Sequence, residues 1–194
     1  MSQGSFDLGQ SDLLVIPAGA DYEVTGDGPA TQLVVYGKDQ FQVAKGYPVR
    51  EEVGKVAASP LLLHPSAAAD SVEEGVSGGA HFELVENQDI MIETTFRSDD
   101  QKIYHRGFQQ DEVHFQLSGI RAARTTQGEF SLEPGDALLI PPGVSHRNVG
   151  NMATIRIVLY TRDTLHVTDA YNARAACRGS GRLNSVAWAR TKER

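Results

Sequence analysis

Short runs of apolar and β-branched residues, separated by turn-forming residues, recur along most of this chain. Runs of this length and composition are typical of β-strands, and the pairs Gln127-Gly128 and Pro134-Gly135 lie where neighbouring strands need tight turns. Because helical and strand patterns do not alternate, an all-β antiparallel sandwich or barrel is favoured. Strands are predicted at residues 13–16, 32–36, 82–85, 90–96, 102–104, 113–117, 120–126, 129–132, 137–140 and 155–160.

Two stretches have less regular patterns. Residues 38–79 are irregular and are expected to wrap the surface, and within them only 67–74 has the composition of a short helix. From Thr168 onward the chain is rich in small and basic residues, which predicts a partly mobile tail.

One strand–turn unit occurs twice. The segment Asp136-Ala-Leu-Leu-Ile-Pro-Pro-Gly143-Val-Ser-His146 is echoed by Asp12-Leu-Leu-Val-Ile-Pro-Ala-Gly19-Ala-Asp-Tyr22. Asp, Ile, Pro and Gly agree in register, so two related half-barrels are expected. The first copy has a tyrosine where the second has a histidine. We therefore expect Tyr22 to be a packed replacement for a lost ligand, and metal chemistry to be confined to the second copy.

Composition narrows the class of protein. A chain of 194 residues with 40% apolar content can bury a sizeable core without a disulfide or a structural metal. Its formal net charge of −7 disfavours a general nucleic-acid binder. The sequence has no apolar run of membrane-spanning length and no secretion signal at residues 1–10, and its lone Cys177 fits a reducing compartment. A cytoplasmic protein that binds neither nucleic acid nor membrane is expected.

Candidate chemistry is concentrated between His105 and His146. Side chains alternate between the two faces of a strand, so Glu112, His114 and Gln116 share one face. Three polar side chains on one face of a central strand indicate either solvent or a polar cavity. His146 follows a Pro-Gly turn, where the mouth of a barrel would hold it. Two imidazoles and one carboxylate form a ligand set that suits Fe(II) and leaves coordination positions open.

These residues resemble the two motifs of the cupin superfamily. In the first motif His105, Glu112 and Gly119 match, and Gly107 replaces the usual second histidine. The second motif matches throughout, at Gly135, Pro141, Gly143 and His146. The resemblance implies a cupin jelly-roll barrel (a double-stranded β-helix), preceded by a degenerate half-cupin segment. It also implies His105, Glu112 and His146 as metal ligands.

Within that superfamily, the chain is similar to mononuclear iron enzymes of the homogentisate dioxygenase and 3-hydroxyanthranilate dioxygenase type. Tyr104-His105-Arg106 is similar to the former, and residues 112–119 are similar to the latter. This resemblance implies an Fe(II)-dependent dioxygenase that cleaves or oxidises a small hydroxylated aromatic, or a related enol, with O2. Because the same ligands accept Mn, Ni or Zn, a cupin isomerase, lyase or hydrolase is an alternative, as is a non-enzymatic small-molecule binder.

Residues beside the proposed ligands supply further candidate roles. His114 is a candidate catalytic acid/base, although it equally fits a cavity residue satisfied by hydrogen bonds. Asp111 competes with Glu112 as the carboxylate ligand, and Glu112 is preferred because it shares a face with His114. The candidate substrate-binding residues are Arg106, Gln116 and Arg147. The histidines outside the motifs, which are predicted to be structural or exposed, are His64, His81 and His166.

The predicted organisation has four parts. Residues 1–50 form degenerate N-terminal cupin-like strands, 51–79 an irregular connection, 80–167 the metal-binding barrel and 168–194 the basic tail. Exposed barrel edges need covering, so residues 1–50 are expected to pack on the barrel or on a neighbouring subunit. A homodimer or larger homo-oligomer is predicted.

Overall fold

A computed structural model describes residues 4–26, 32–56, 59–66, 80–97, 100–150, 153–162 and 164–165. No helix in these ranges is long and apolar enough to cross a membrane. The fold is all-β, as predicted. Its strands are β1 (Leu13–Val15), β2 (Gln42–Val43), β3 (Leu61–Leu63), β4 (Ala80–Glu86), β5 (Ile90–Arg97), β6 (Asp111–Ser118), β7 (Arg121–Thr125), β8 (Gly128–Leu132), β9 (Ala137–Ile140), β10 (His146–Val149) and β11 (Thr154–Thr161).

The strands form two sheets that face each other and a small third sheet. Six strands are hydrogen-bonded in the order β2-β4-β5-β11-β6-β9, and three in the order β10-β7-β8. The pairing is antiparallel throughout both sheets. β1 pairs with β3 in a separate two-stranded sheet. The two larger sheets enclose the interior of an antiparallel β-barrel.

The main apolar core lies on the outer face of the six-stranded sheet. Phe115 and Leu84 point to this side, and both are almost completely buried. Burial of side chains of this size stabilises the fold by roughly 1.5–3 kcal/mol each. Val15, Tyr47 and Leu63 belong to the same cluster, so the N-terminal part of the chain packs on this side of the barrel.

The opposite face of the same sheet lines the barrel interior and carries mostly polar residues. Residues directly opposite each other on paired strands point the same way. Glu112, His114 and Gln116 of β6 are opposite Tyr160, Val158 and Arg156 of β11. A smaller apolar cluster, formed by Ala123, Leu132, Leu138, Ile140 and Val144, fills the part of the interior where β7, β8 and β9 meet.

The repeated strand–turn unit has the same local geometry in both copies. Gly19 and Gly143 adopt nearly equal positive φ angles, 80° and 81°. In the two matching turns Ala20 N donates to Pro17 O, and Val144 N donates to Pro141 O, both at 3.2 Å. Positive φ favours glycine, which explains why that residue is shared.

Most of the predicted strands are confirmed to within two residues, but two are wrong. Residues 32–36 form no strand, because Leu33 and Val35 pack against the outer core without pairing in a sheet. Residues 102–104 form no strand either. Only the residues on either side of them are hydrogen-bonded to β10: Gln101 N donates to Asn148 O, and His105 N donates to His146 O. The predicted helix at 67–74 and the tail from Thr168 lie outside the described residues.

The prediction that Tyr22 is packed is also wrong. Its side chain is 58% exposed. The turn after β1 continues into irregular chain instead of a returning strand, so the ring has no sheet to pack on. The stretch expected to be irregular, residues 38–79, contributes the short strands β2 and β3 to the covering of the barrel.

Candidate metal centre

Three proposed ligands converge at one end of the barrel interior. Glu112 lies near the start of β6, His146 begins β10, and His105 lies in the loop that leads into β6. His105 N donates to His146 O at 2.9 Å, and His146 N donates to His105 O at 2.8 Å, which fixes the two histidines side by side. One potential ligand atom from each of the three residues lies within 4.8 Å of the others. Elements distant in sequence therefore build one compact donor set.

The side chains of this set fit a metal ion. Nε2 of His146 lies 3.3 Å from Oε2 of Glu112. Among the described residues, this fully buried nitrogen has no aligned hydrogen-bond partner. A buried polar atom without such a bond costs free energy unless another partner satisfies it. The rings of His105 and His146 are 4.2 Å apart between centroids, so both imidazoles can face one cation.

The protonation states in the set suit metal binding. Burial alone would raise the pKa of Glu112, but the contacts with His114 and His146 outweigh it and hold the pKa well below its ordinary value. Burial lowers the pKa of His105, and the neighbouring His146 lowers it further. An ionised carboxylate and a neutral imidazole are the forms that coordinate metals.

Gly107 leaves one side of the Glu112 carboxylate open. A Cβ atom at this position would lie 2.9 Å from Oε1 of Glu112. The Gly107 carbonyl accepts a hydrogen bond of 2.7 Å from Gly143 N, which holds the loop against the second motif. The residue that replaces the usual second histidine therefore removes a side chain from the immediate neighbourhood of the donor set.

His114 is held on both of its ring nitrogens. Its Nδ1 lies 3.3 Å from Nη2 of Arg121, and its Nε2 lies 3.3 Å from Oε2 of Glu112. A guanidinium can only donate, so Nδ1 accepts and Nε2–H donates to the carboxylate. Burial holds the pKa of His114 well below its ordinary value, which keeps the ring neutral. This geometry favours the cavity residue satisfied by hydrogen bonds over the acid/base, and the bond from Nε2–H orients Glu112.

Gln116, a predicted substrate-binding residue, is hydrogen-bonded to Arg121. Its Oε1 accepts from Arg121 Nε at 2.7 Å, and its Nε2 donates to Ser118 O and Gly119 O. Gln116 has no exposed surface. All the hydrogen-bonding atoms of its amide are thus engaged within the barrel wall.

Two further amides extend this network to the second ligand, and sequence reasoning missed both of them. Arg121 Nη1 donates to Asn148 Oδ1. Asn148 Nδ2 donates to Gln101 Oε1 at 3.0 Å, and Gln101 Nε2 lies 3.1 Å from Nδ1 of His105. A chain of polar contacts therefore links Glu112 to His105 behind the donor set. At the Glu112 end of this chain, the hydrogen bond from His114 is of the kind that orients a metal ligand.

The other candidate residues have their observed contacts outside the donor set. The guanidinium of Arg106 lies 4.5 Å from the centroid of the exposed Phe108 ring, and that of Arg147 lies 5.3 Å from the Tyr104 ring. The Asp111 carboxylate accepts from Leu165 N at 2.7 Å. Asp111 is on the opposite face of β6 from Glu112, and only Glu112 joins the two histidines.

The inner wall continues past the donor set with polar groups that sequence reasoning also missed. Glu93 is 4% exposed, and its Oε2 lies 2.5 Å from Nε2 of the partly exposed His81. Burial, followed by the charges of Glu93 and Glu112, raises the pKa of Tyr160, so its phenol is protonated. Arg156, 6% exposed, completes this wall. The sequence carries no period-two polar pattern at this wall, because Glu93 is followed directly by Thr94 and Thr95, and Arg156 and Tyr160 stand among apolar residues.

The His81–Glu93 pair predicts a pH-dependent contribution to stability. The hydrogen bond to Glu93 raises the pKa of His81 above its ordinary value. A raised folded-state pKa gives a contribution that is complete below the unfolded pKa, about 6.5, and is lost as pH rises through the folded pKa. His81→Gln should therefore lower the melting temperature at pH 5.5 and have less effect at pH 8.5.

The expected effect is small, at most about 1 kcal/mol, because the side chain of His81 is 57% exposed and the pair is screened by solvent. Thermal unfolding of both proteins across this pH range measures it. A melting-temperature difference that is the same at every pH would show that Glu93 does not stabilise the protonated ring.

Comparison with known proteins gives matches among solved structures. No protein-family model and no curated protein matches the chain. A cupin-2 domain containing protein from Shewanella frigidimarina is 15% identical over 52% of this chain and 94% of that one, with a TM-score of 0.44. KdgF from Halomonas sp. is 17% identical over 47% and 87%, with a TM-score of 0.43. A cupin superfamily protein from Desulfitobacterium hafniense is 17% identical over 49% and 87%, with a TM-score of 0.42.

Proposed function

We propose that this chain is an Fe(II)-dependent dioxygenase that cleaves or oxidises a small hydroxylated aromatic, or a related enol, with O2. One observation carries the proposal: potential ligand atoms of His105, Glu112 and His146 all lie within 4.8 Å of one another. Two imidazoles and one carboxylate are the donor set of non-haem Fe(II) oxygenases. Iron(II) bound there would supply a redox-active centre with positions open to the substrate hydroxyl and O2.

The surrounding residues have defined parts in this proposal. Glu112 stays ionised and is oriented by the Nε2–H of His114. Gly107 leaves space beside the carboxylate for a ligand. Tyr160 presents a protonated phenol on the inner wall, opposite Glu112 on the neighbouring strand. The phenol donates its hydrogen bond to Glu93, which leaves the phenol oxygen able to accept a hydrogen bond from a substrate group.

Oxygen uptake tests the proposal. The protein is reconstituted anaerobically with Fe(II), mixed with catechols, hydroquinones and aminophenols, and exposed to O2. Consumption of O2 together with a product that has gained two oxygen atoms is the expected result. If the protein consumes no O2 with any of these compounds, the proposal of a dioxygenase is wrong.

The same protein distinguishes the alternative functions. Reconstitution with Mn(II), Ni(II) or Zn(II), followed by turnover without oxygen consumption, would indicate an isomerase, lyase or hydrolase. Absence of stoichiometric metal after anaerobic purification would indicate a small-molecule binder without metal chemistry.

A further inference from the structure

Three hydrogen-bonded side chains cross the inner wall from the neighbourhood of the metal centre to the surface. Tyr160 lies directly opposite Glu112 on the neighbouring strand. Its phenol donates to Glu93 of β5, and Oε2 of Glu93 lies 2.5 Å from Nε2 of His81 on β4. Glu93 is buried, whereas more than half of the His81 side chain is exposed. These contacts form a continuous Tyr160–Glu93–His81 path between the interior and solvent.

The strand register explains why the three side chains meet. Glu93 is opposite Val158, which is two residues from Tyr160 on β11. His81 is opposite Thr95, which is two residues from Glu93 on β5. Each step of the path therefore joins diagonal neighbours on one face of the sheet. Such neighbours are about 7–8 Å apart, which is within reach of aromatic and long side chains.

The exposed end of the path can hold a proton. The hydrogen bond from Glu93 raises the pKa of His81, and burial opposes this effect. The positive charge of Arg156 on β11 also lowers the pKa of His81, and the carboxylate of Glu83 on β4 raises it. Below its pKa, His81 is an imidazolium beside a carboxylate. The pair is then neutral overall.

The phenol at the inner end of the path stays protonated. Burial raises the pKa of Tyr160, and the charges of Glu93 and Glu112 raise it further, whereas Arg156 lowers it. Because a phenolate beside two carboxylates is unfavourable, the phenol gives up its proton only as it receives another. A group of this kind passes protons on without becoming charged.

We propose that Tyr160, Glu93 and His81 form a proton relay that carries a proton from the bound substrate to solvent. This inference rests on the proposed function, because the proton comes from a substrate hydroxyl that is hydrogen-bonded to the phenol oxygen. As the substrate O–H bond breaks, its proton forms a new O–H bond on Tyr160, and the original phenol proton moves to the carboxylate of Glu93. His81 is then no longer beside an anion, and it releases its Nδ1 proton to water.

The transfer balances in protons and in charge. The substrate loses one proton, water gains one, and no electrons move. The His81–Glu93 pair changes from imidazolium and carboxylate to imidazole and carboxylic acid, so it is neutral before and after. Tyr160 is a phenol throughout. Burying a net charge is costly, and none is created on the relay itself. The reverse sequence returns a proton to the product.

NMR titration of the His81 ring tests the relay without turnover. The protein is loaded with Zn(II), which has no redox chemistry and is diamagnetic. His64 is the matched control within the same sample. Its Nδ1 lies 3.1 Å from Oδ1 of Asp12, and the exposed and buried fractions of this pair resemble those of His81 and Glu93. The control pair lies beside the β1–β3 sheet, outside the barrel interior. His81→Gln and His64→Gln assign the two signals.

The first measurement needs no ligand. Tyr160→Phe should raise the pKa of His81 by at least about half a pH unit, because Glu93 loses a hydrogen-bond donor that stabilises its anion. Glu93→Gln should lower the pKa of His81, because the anion is lost. The titration of His64 should not change in either variant. An unchanged pKa of His81 in Tyr160→Phe would overturn the proposal, since the two ends of the relay would then be uncoupled.

The second measurement adds catechol, hydroquinone or 2-aminophenol at a pH where His81 is protonated in the ligand-free protein. A compound that binds to the wild type should convert His81 to the neutral imidazole. The same compound should bind to Tyr160→Phe and leave His81 protonated. Binding that leaves His81 protonated in the wild type, or binding of none of the three compounds, would overturn the relay.

Oxygen uptake by the Fe(II)-loaded protein separates this proposal from the proposed function. Neutralisation of His81 by a bound compound, without oxygen consumption, would support the relay and overturn the dioxygenase. Oxygen consumption with a compound that leaves His81 protonated would support the dioxygenase and overturn the relay.

Discussion

Glu112→Gln should purify with almost no bound metal while the barrel remains folded. The amide keeps the shape of the side chain and can still accept the hydrogen bond from His114, but it loses the anionic donor. Loss of an outer-shell partner alone costs about 10- to 100-fold in metal affinity, so loss of a direct ligand should cost more than about 100-fold. Metal analysis after dialysis, with competition against a chelator, gives the affinity, and circular dichroism reports the fold.

Asp111→Asn is the matched control for this variant. Asp111 is the adjacent carboxylate on β6, and it is as buried as Glu112, but it binds Leu165 N on the other side of the strand. Asp111→Asn should keep its metal. The assignment of Glu112 as the carboxylate ligand is wrong if Asp111→Asn loses the metal and Glu112→Gln retains it.

His114→Ala should retain metal when metal is in excess, with an affinity or a turnover about 10- to 100-fold below that of the wild type. The substitution leaves Glu112 without the Nε2–H donor and Arg121 without one acceptor. The carboxylate then has additional orientations in which it faces the metal less well. Metal titration and steady-state turnover, measured on the same preparations, separate the two effects.

Phe115→Leu provides the comparison for general loss of stability. Phe115 is the next residue on β6, equally buried, and it packs in the outer core. This variant should lower the melting temperature without changing the affinity for metal. If His114→Ala loses metal as completely as His105→Ala, then His114 is itself a ligand. If His114→Ala keeps both the metal affinity and the turnover of the wild type, the His114 side chain only fills space.

The fold was predictable where a strand-like apolar pattern and turn residues agreed, and it was not predictable elsewhere. Residues 113–117 alternate apolar and polar side chains, and residues 137–140 are a continuous apolar run. Both segments are flanked by glycine turns, and both are strands. β10 has the sequence His-Arg-Asn-Val, which is too polar to indicate a strand. Its inward side chains belong to the His105–Glu112–His146 set and its hydrogen-bond network instead of an apolar core. Residues 32–36 gave the opposite error. Their apolar residues Leu33 and Val35 predicted a strand, but they pack against the outer core without belonging to one.

The candidate site was predictable only as far as its spacing matched known motifs. The two motifs contain both histidines and Glu112, so the motif pattern was enough to predict that these three residues come together. Gln101, Arg121 and Arg156 could not be identified in that way. Gln101 lies in a polar run, and Arg121 and Arg156 match no motif. The contacts of all three cross between segments whose register only the folded structure supplies.

The six-stranded sheet separates the residues that stabilise the protein from those that define its chemistry. Because neighbouring positions on β6 and β11 alternate between the outer apolar core and the interior, a single strand serves both purposes at different positions. Substitutions at Val158 or Tyr160 change the shape of the cavity, whereas Ile157 and Leu159 remain to hold the core together. Such an arrangement makes the barrel evolvable: the lining of the interior can change one position at a time, with the packing on the other face left intact.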